Sequence, residues 1–198
     1  MITILFLISM MFLVGLAVQK AESDPEPDES RYKKATFAGG CFWCMEGPFE
    51  RLDGVIRVTS GYTGGEEENP GYHEVSHGET GHAEAVQIVY DPEKVTYEEL
   101  LEVFWRQVNP TDPGGQFADR GNQYRTVIFF HDEEQKRTAE RSHEALERSG
   151  RFEQPIVTEI VPAGTFYRAE EYHQDYFKKN PVRYRLYRTG SGRSDYLK

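Results

Sequence analysis

Two cysteines, Cys41 and Cys44, sit three residues apart in the run Gly40-Cys41-Phe42-Trp43-Cys44. A disulfide across so short a loop removes little entropy from the unfolded chain, so a purely structural bridge has little to gain here. Thiol chemistry fits the spacing better. A helix starting at Cys41 places unpaired backbone N–H groups and the positive end of its dipole near the sulfur and favours a thiolate, while Cys44, one turn on, can attack an oxidised Cys41. Spacing alone also suits a general disulfide oxidoreductase. A zinc site needs two more ligands, and of the histidines at 73, 77, 82, 131, 143 and 173 only His73 and His77 are spaced to supply a pair. Two inert buried thiols are the remaining alternative, and the flanking glycines and exposed-loop setting speak against it.

The elements that position this pair follow from apolar periodicity. Residues 34–38 predict a strand, Gly39-Gly40 a turn, and Cys41 to Leu52 a helix with Phe42, Met45, Phe49 and Leu52 at near-helical spacing. Val55 to Tyr62 and Ala83 to Tyr90 predict strands separated by a Gly/Pro/Asn-rich loop, and Asp91-Pro92 ends the second. Thr96 and Glu99 form a capping-box pattern ahead of a helix whose apolar positions run from Tyr97 to Val108. A long loop from Asn109 to Asn122, a strand from Tyr124 to His131, a charged helix from Asp132 to Ser149 and a strand from Ile156 to Val161 complete the order. This succession predicts an α+β domain, a two-layer α/β sandwich with a mixed, ferredoxin-like sheet and an irregular C-terminal segment.

Residues 1–18 contain no charged side chain and have the length of a secretory apolar region or short membrane anchor. Residues 19–31, with two prolines and five acids, read as a disordered linker, which leaves 32–198 as the domain. The expected location is therefore extracytoplasmic: periplasmic, secreted or membrane-anchored. Of the formal charge of −10, residues 1–30 hold five acids and one lysine, a net −4, leaving −6 on the remainder. An acidic domain excludes nucleic acid as a natural partner. The basic positions near the C-terminus (Lys178, Lys179, Arg183, Arg185, Arg188, Arg193, Lys198) read as a solvated face.

Several separated runs carry a resemblance: Gly39-Gly40-Cys41-Phe42-Trp43, Ser60-Gly61-Tyr62-Thr63-Gly64-Gly65, Gly81-His82-Ala83-Glu84-Ala85-Val86 and Asp119-Arg120-Gly121-Asn122-Gln123-Tyr124-Arg125. In that order, over about residues 33–182, they resemble the methionine sulfoxide reductase A family. The resemblance implies reduction of the S epimer of methionine sulfoxide, free or peptide-bound, with a thioredoxin-type dithiol as reductant and neither metal nor organic cofactor. It further implies that Cys41 is the nucleophile, that Phe42 and Trp43 cage the substrate methyl, and that Glu84 protonates the sulfoxide oxygen. Tyr72 and Tyr124 match the phenols that hold this oxygen, and Asp119 the carboxylate that helps arrange the site. The chemistry asks for these types: the oxygen departs only as it gains protons, which needs hydrogen-bond donors and an acid whose pKa burial has raised.

Each residue also has a plainer reading. Glu84 could be a solvated strand residue, Tyr72 and Tyr124 rim or core phenols, Asp119 a turn former, and His82 and His173 structural hydrogen-bonding groups. Tyr62 could line the site without acting in it. Many family members carry Gly where this chain has Cys44 and place recycling cysteines near the C-terminus. No cysteine follows Cys44 here. Cysteine count and reach therefore point to Cys44 as the group that closes a disulfide with a Cys41 sulfenic acid, in a monomer that needs only oxidised substrate and a dithiol. A binding module for oxidised or Met-rich peptides, without turnover, is the non-enzymatic alternative.

Overall fold

Strand β1 (Lys33–Gly39) is covered on both faces from Ala35 onward, which is why its sequence lacks the polar alternation of a half-exposed strand. The computed structural model describes residues 31–197; the apolar run 1–18 and nearly all of the linker expected at 19–31 lie outside them. After β1 come α1 (Phe42–Glu50), β2 (Val55–Thr63), α2 (Tyr72–Ser76), β3 (Ala83–Tyr90) and α3 (Tyr97–Gln107). A small hairpin, β4 (Gly115–Gln116) and β5 (Asp119–Arg120), precedes a 3-10 turn at Asn122–Tyr124. Then follow β6 (Thr126–Phe130), α4 (Glu133–Arg148), β7 (Glu159–Pro162), β8 (Tyr167–Arg168), α5 (Tyr176–Lys179), α6 (Pro181–Gly190) and α7 (Arg193–Tyr196).

The main sheet has the order β7-β6-β1-β3-β2-β8. The β6–β7 pair is parallel and the other neighbours are antiparallel, so the sheet is mixed as expected. Side chains alternate between its faces. Ala35, Phe37, Val86, Ile88 and Ile128 join Phe49, Leu100, Leu101, Phe104 and Ala139 from α1, α3 and α4 in the larger core. Ala38, Ala83, Ala85, Val127 and Phe129 form a thinner core on the opposite face, covered by Val161, Ala163 and Phe166. Phe37 lies at the centre of the larger core, its ring 5.5 Å from that of Phe49 and 5.2 Å from that of Phe104.

Local chemistry sets the boundaries. The Thr96 hydroxyl accepts from the Glu99 N–H at 3.2 Å and the Glu99 carboxylate from the Thr96 N–H at 2.8 Å, the reciprocal cap that starts α3. Asp132 caps α4 through the Gln135 N–H at 2.8 Å. Tyr124 falls in the 3-10 turn, so β6 begins two residues later than expected. The expected loop at 109–122 contains the β4–β5 hairpin, two residues per strand and too short for a periodic signal.

The expected irregular C-terminal segment is observed only at residues 163–175, around the two-residue strand β8. Among the described residues, those from Tyr176 onward form three helices, α5 to α7. Pro181 at the first turn, with its fixed φ and no N–H to lose, suits the start of α6. Two of the helices have only four residues, less than two turns, and α6 buries no residue completely. An apolar stripe was therefore not available to read.

Removing the Phe37 ring should leave a cavity between the sheet and α1 and α3. We expect Phe37→Ala to cost about 3–5 kcal/mol of unfolding free energy, measured as a lowered denaturant midpoint with an unchanged slope.

Candidate active site

Cys41 occupies the N-cap of α1, where the chain leaves β1 through Gly39-Gly40. Both glycines are needed. A Cβ on Gly39 would lie 2.6 Å from Met45 Cε, and Gly40 has φ +80 with Gln116 Cβ only 2.6 Å from where its own Cβ would be. The Cys44 N–H donates to the Cys41 carbonyl at 3.0 Å, closing the first turn and setting the two side chains on one side of it. Both thiols are free. Cys41 is 6% exposed and Cys44 fully buried, so the pair is not in the exposed loop its glycines suggested.

Glu84 shares strand parity with Val86, Ile88 and Tyr90, which sends its side chain beneath α1 rather than into solvent. It is 2% exposed. Its Oε2 accepts the Phe42 N–H at 3.1 Å, one of the backbone donors left unpaired at a helix start. Burial raises the carboxyl to about 8, against that hydrogen bond and with help from the negative charges of Asp119 and Cys44. At neutral pH the group is largely a protonated acid. The solvated-strand reading of Glu84 is thereby overturned.

The other expected residues converge on the same point. Burial, followed by the charges of Glu84 and Cys41, raises the Tyr72 phenol to about 12. Burial and the same two charges raise Tyr124 as well. Asp119 accepts the Tyr187 hydroxyl at 2.5 Å, and burial pushes its carboxyl up against that bond and the Arg193 charge. Cys41 is raised by burial, then by its hydrogen bond to Cys44 and the charges of Glu84 and Asp119. Cys44 is lowered, first by the hydrogen bond from Cys41 and also by the charges of Arg193 and Arg188. The helix-terminus argument for a Cys41 thiolate thus omitted the larger effect: in this site desolvation keeps Cys41 a thiol.

Phe42 and Trp43 form an aromatic wall. The Trp43 indole stacks on Tyr176 at 3.7 Å and 5°, meets the edge of Tyr187 at 5.8 Å, and donates Nε1–H to His173 Nδ1 at 3.1 Å. Phe42 packs 5.0 Å from the His173 ring and 6.0 Å from Tyr62. The Tyr62 hydroxyl donates to Glu170 Oε2 at 2.8 Å, and Glu170 Oε1 accepts the Tyr72 N–H at 2.9 Å, so one carboxylate fixes both tyrosines. His82 is structural as expected: Nδ1 accepts the Gly65 N–H and Nε2 pairs with the Glu67 carbonyl.

Sequence reasoning missed much of this shell: Glu46, Glu170, Gln174, Tyr176, Tyr187 and Arg193. Glu46 is buried on α1, accepts the Asp175 N–H at 3.0 Å and is raised by burial to about 7. Gln174 accepts the Ser60 N–H and donates to the Ser60 carbonyl, as a further strand would. These contacts dock the 169–176 segment under Trp43. The only available signal was the density of Tyr, His and Glu in Tyr167–Tyr176, which has no fixed period. Among the described residues, no group of three or more His, Cys, Asp or Glu could hold a metal.

A protonated carboxyl, two phenols and a thiol pair around one apolar-walled point can bind a small polar oxygen, supply it with protons and take it up on sulfur. Fold and site together define a thiol-dependent oxidoreductase. The sequence profile of "Peptide methionine sulfoxide reductase" matches residues 33–198. The enzyme "Peptide methionine sulfoxide reductase MsrA" of Bacillus licheniformis is 59% identical over 163 residues, 82% of this chain and 90% of that one. Mxr1 of Saccharomyces cerevisiae in reduced form is similar with a TM-score of 0.72 and 35% identity, over 80% of this chain and 88% of that one. Mxr1 in complex with Trx2 is similar with a TM-score of 0.53 and 26% identity, over 80% and 91%. The chain belongs to the peptide methionine sulfoxide reductase family, as an oxidoreductase acting on methionine sulfoxide.

A raised carboxyl is neutral below its pKa and lost as an acid above it. We therefore expect kcat/KM for sulfoxide reduction to fall as pH rises through about 8, the value for Glu84. Glu84→Gln should lower turnover by about 10²-fold or more and abolish that alkaline limb. Near-wild-type turnover in this variant removes the acid role from Glu84.

Proposed function

We propose that the chain reduces the S epimer of methionine sulfoxide, free or in peptides, through a Cys41 sulfenic acid and a Cys41–Cys44 disulfide. The observation that carries this reading is the buried Glu84 carboxyl, neutral near pH 7 and bonded to the Phe42 N–H beside Cys41. The substrate S-methyl lies against Phe42 and Trp43, a contact that suits polarisable and weakly polar groups on aromatic faces. Tyr72 and Tyr124 donate to the sulfoxide oxygen, and Asp119 positions Tyr187 beside Cys41.

The first step balances without an added reductant. Glu84 gives its proton to the oxygen, Cys41 sulfur attacks, and the thiol proton restores Glu84. Cys41 ends as a sulfenic acid and the substrate as a thioether. In the second step Cys44 sulfur bonds Cys41 sulfur, the S–O bond breaks and water leaves. An external dithiol, of the thioredoxin type, then reopens the disulfide. The complex of the yeast relative with Trx2 supports that choice of reductant.

The unit β1-α1-β2-β3-α3-β6, with its strands in the order β6-β1-β3-β2, supports a ferredoxin-like description of the core. The apolar run 1–18 and acidic linker 19–31 support an exported or tethered enzyme whose domain is 32–198. Among the described residues no helix is long and apolar enough to cross a membrane. Fractionation of cells expressing the full chain should place it outside the cytoplasm, and deletion of 1–18 should return it there; full-length protein found entirely in the cytosol overturns this assignment.

The recycling assignment has its own test. Cys41 alone suffices for attack on the sulfoxide, whereas a disulfide needs both sulfurs. Cys44→Ser should release about one methionine per enzyme without reductant, as a lone sulfenic acid step requires, and then stall with thioredoxin as reductant. Cycling of this variant at the wild-type rate removes Cys44 from recycling, and loss of the first turnover places it in the nucleophilic step instead.

A further inference from the structure

Arg193 on α7 is completely buried, although its sequence context reads as a solvated basic tail. Its Nη2 donates to the Gly39 carbonyl at 2.9 Å and its Nη1 to the Gln107 carbonyl at 2.7 Å. Nη1 also lies 3.7 Å from Met45 Sδ, and the guanidinium sits 4.7 Å from the Phe117 ring centroid. Among the described residues, none of its hydrogen-bonding partners is a carboxylate. A buried cation without an anion is strongly penalised, and two carbonyls could be tied together by a neutral amide at far lower desolvation cost. The charge itself therefore calls for a purpose.

Gly39 and Met45, which the guanidinium touches, flank the Gly40–Cys44 run, and there its positive charge favours the anionic forms of Cys44 and Asp119. Arg188, held by the Tyr184 hydroxyl at 2.8 Å and Gln107 Oε1 at 3.4 Å, adds a second cation facing Cys44. We propose that Arg193, assisted by Arg188, is the counter-charge of Cys44 in the recycling step, so that the C-terminal helices govern disulfide formation without touching the sulfoxide. This rests on the reading of Cys44 as the group that attacks the Cys41 sulfenic acid. The titratable and charged groups around Cys44 are Cys41, Glu84, Asp119, Tyr184, Arg188 and Arg193. Only the two arginines favour a negative sulfur by charge. In the step, Cys44 thiolate forms the S–S bond, the Cys41 S–O bond breaks, and the departing oxygen takes a proton from Glu84 and leaves as water. Cys44 is oxidised as Cys41 is reduced, with no further reactant.

Arg193 is a positioning residue on this account, and charge must be separated from packing to test it. In a Cys41→Ser background, NMR of isotope-labelled cysteine titrates Cys44 alone. Arg193→Gln should raise that titration by about one pH unit, and Arg193→Lys, which keeps the charge, should leave it near the parent value. With both cysteines present, Arg193→Gln should slow loss of the second thiol after a single sulfoxide turnover by about threefold at neutral pH, because tenfold less thiolate is partly offset by a more basic nucleophile. The deficit should vanish at alkaline pH, which a packing defect would not do. If Arg193→Gln does not fold, Arg188→Gln, at a half-buried position, should shift Cys44 in the same direction by less. An unchanged titration in the folded neutral variant, or a shift in Arg193→Lys as large as in Arg193→Gln, overturns the proposal. A shifted titration in a chain that turns over without losing its second thiol leaves the charge pairing in place and overturns the resolver reading on which its role depends.

Discussion

The hydrogen bond from the Phe42 N–H to the Glu84 carboxyl constrains the rest of the molecule. For that carboxyl to remain neutral near pH 7 it must be withdrawn from water, which requires β3 inside the sheet, with β1 on one side and β2 on the other. For it to lie beside the nucleophile, α1 must begin directly above β3, which the Gly39-Gly40 turn enforces by excluding two side chains. The donor it meets is one that a helix terminus leaves free in any case. On the proposed mechanism, catalytic acidity is thus obtained from burial and from the geometry of one strand–turn–helix junction.

Burial has the same consequence for the neighbouring sulfur. The desolvation that keeps Glu84 protonated also keeps Cys41 protonated, so on the proposed mechanism the resting site holds the protons that the departing oxygen takes up. A thiolate-primed Cys41 is not required if the thiol proton can replace the one Glu84 gives away. The negative sulfur is favoured instead at Cys44, where the arginines of α6 and α7 lie. The two cysteines therefore differ although one helical turn separates them, first through burial of Cys41 and the hydrogen bond between the two sulfurs, and further through the arginine charges of the C-terminal segment. Its earlier part, from Ala169 to Tyr176, shapes the aromatic wall from behind.

The elements that could be read from sequence are those with periodicity or a cap. The alternation of Ala83 to Tyr90, the box at Thr96 and Glu99, and the Gly-Gly turn before Cys41 each carry a local physical cause, and each element lies where expected within a residue or two. Cys41, Phe42, Trp43, Glu84, Tyr72, Tyr124 and Asp119, singled out through the resemblance, lie around one point with Cys44, singled out by cysteine count and reach. Glu84 was legible as a buried acid only through the resemblance, since strand parity alone does not say which face of a strand is covered. Tyr187, Tyr176, Glu170 and Arg193 act through contacts more than a hundred residues apart or through helices of a single turn, neither of which leaves a pattern. In the basic tail Lys178, Lys179, Arg183 and Arg185 are exposed as expected, but Arg193 was misread because charge composition cannot distinguish an exposed arginine from one enclosed beneath a glycine turn.

The central claim is that a buried acid and a thiol pair at the start of α1 transfer oxygen from methionine sulfoxide to Cys41. It is tested most directly by mixing the reduced wild-type chain with the separated epimers of a methionine sulfoxide peptide in the absence of reductant. The account predicts about one methionine per chain from the S epimer, as a single sulfur oxidation allows, loss of both thiols, and a Cys41–Cys44 bond recovered by peptide mapping. Methionine formed without loss of thiols, or thiols lost only to disulfide substrates with no methionine released, would contradict it.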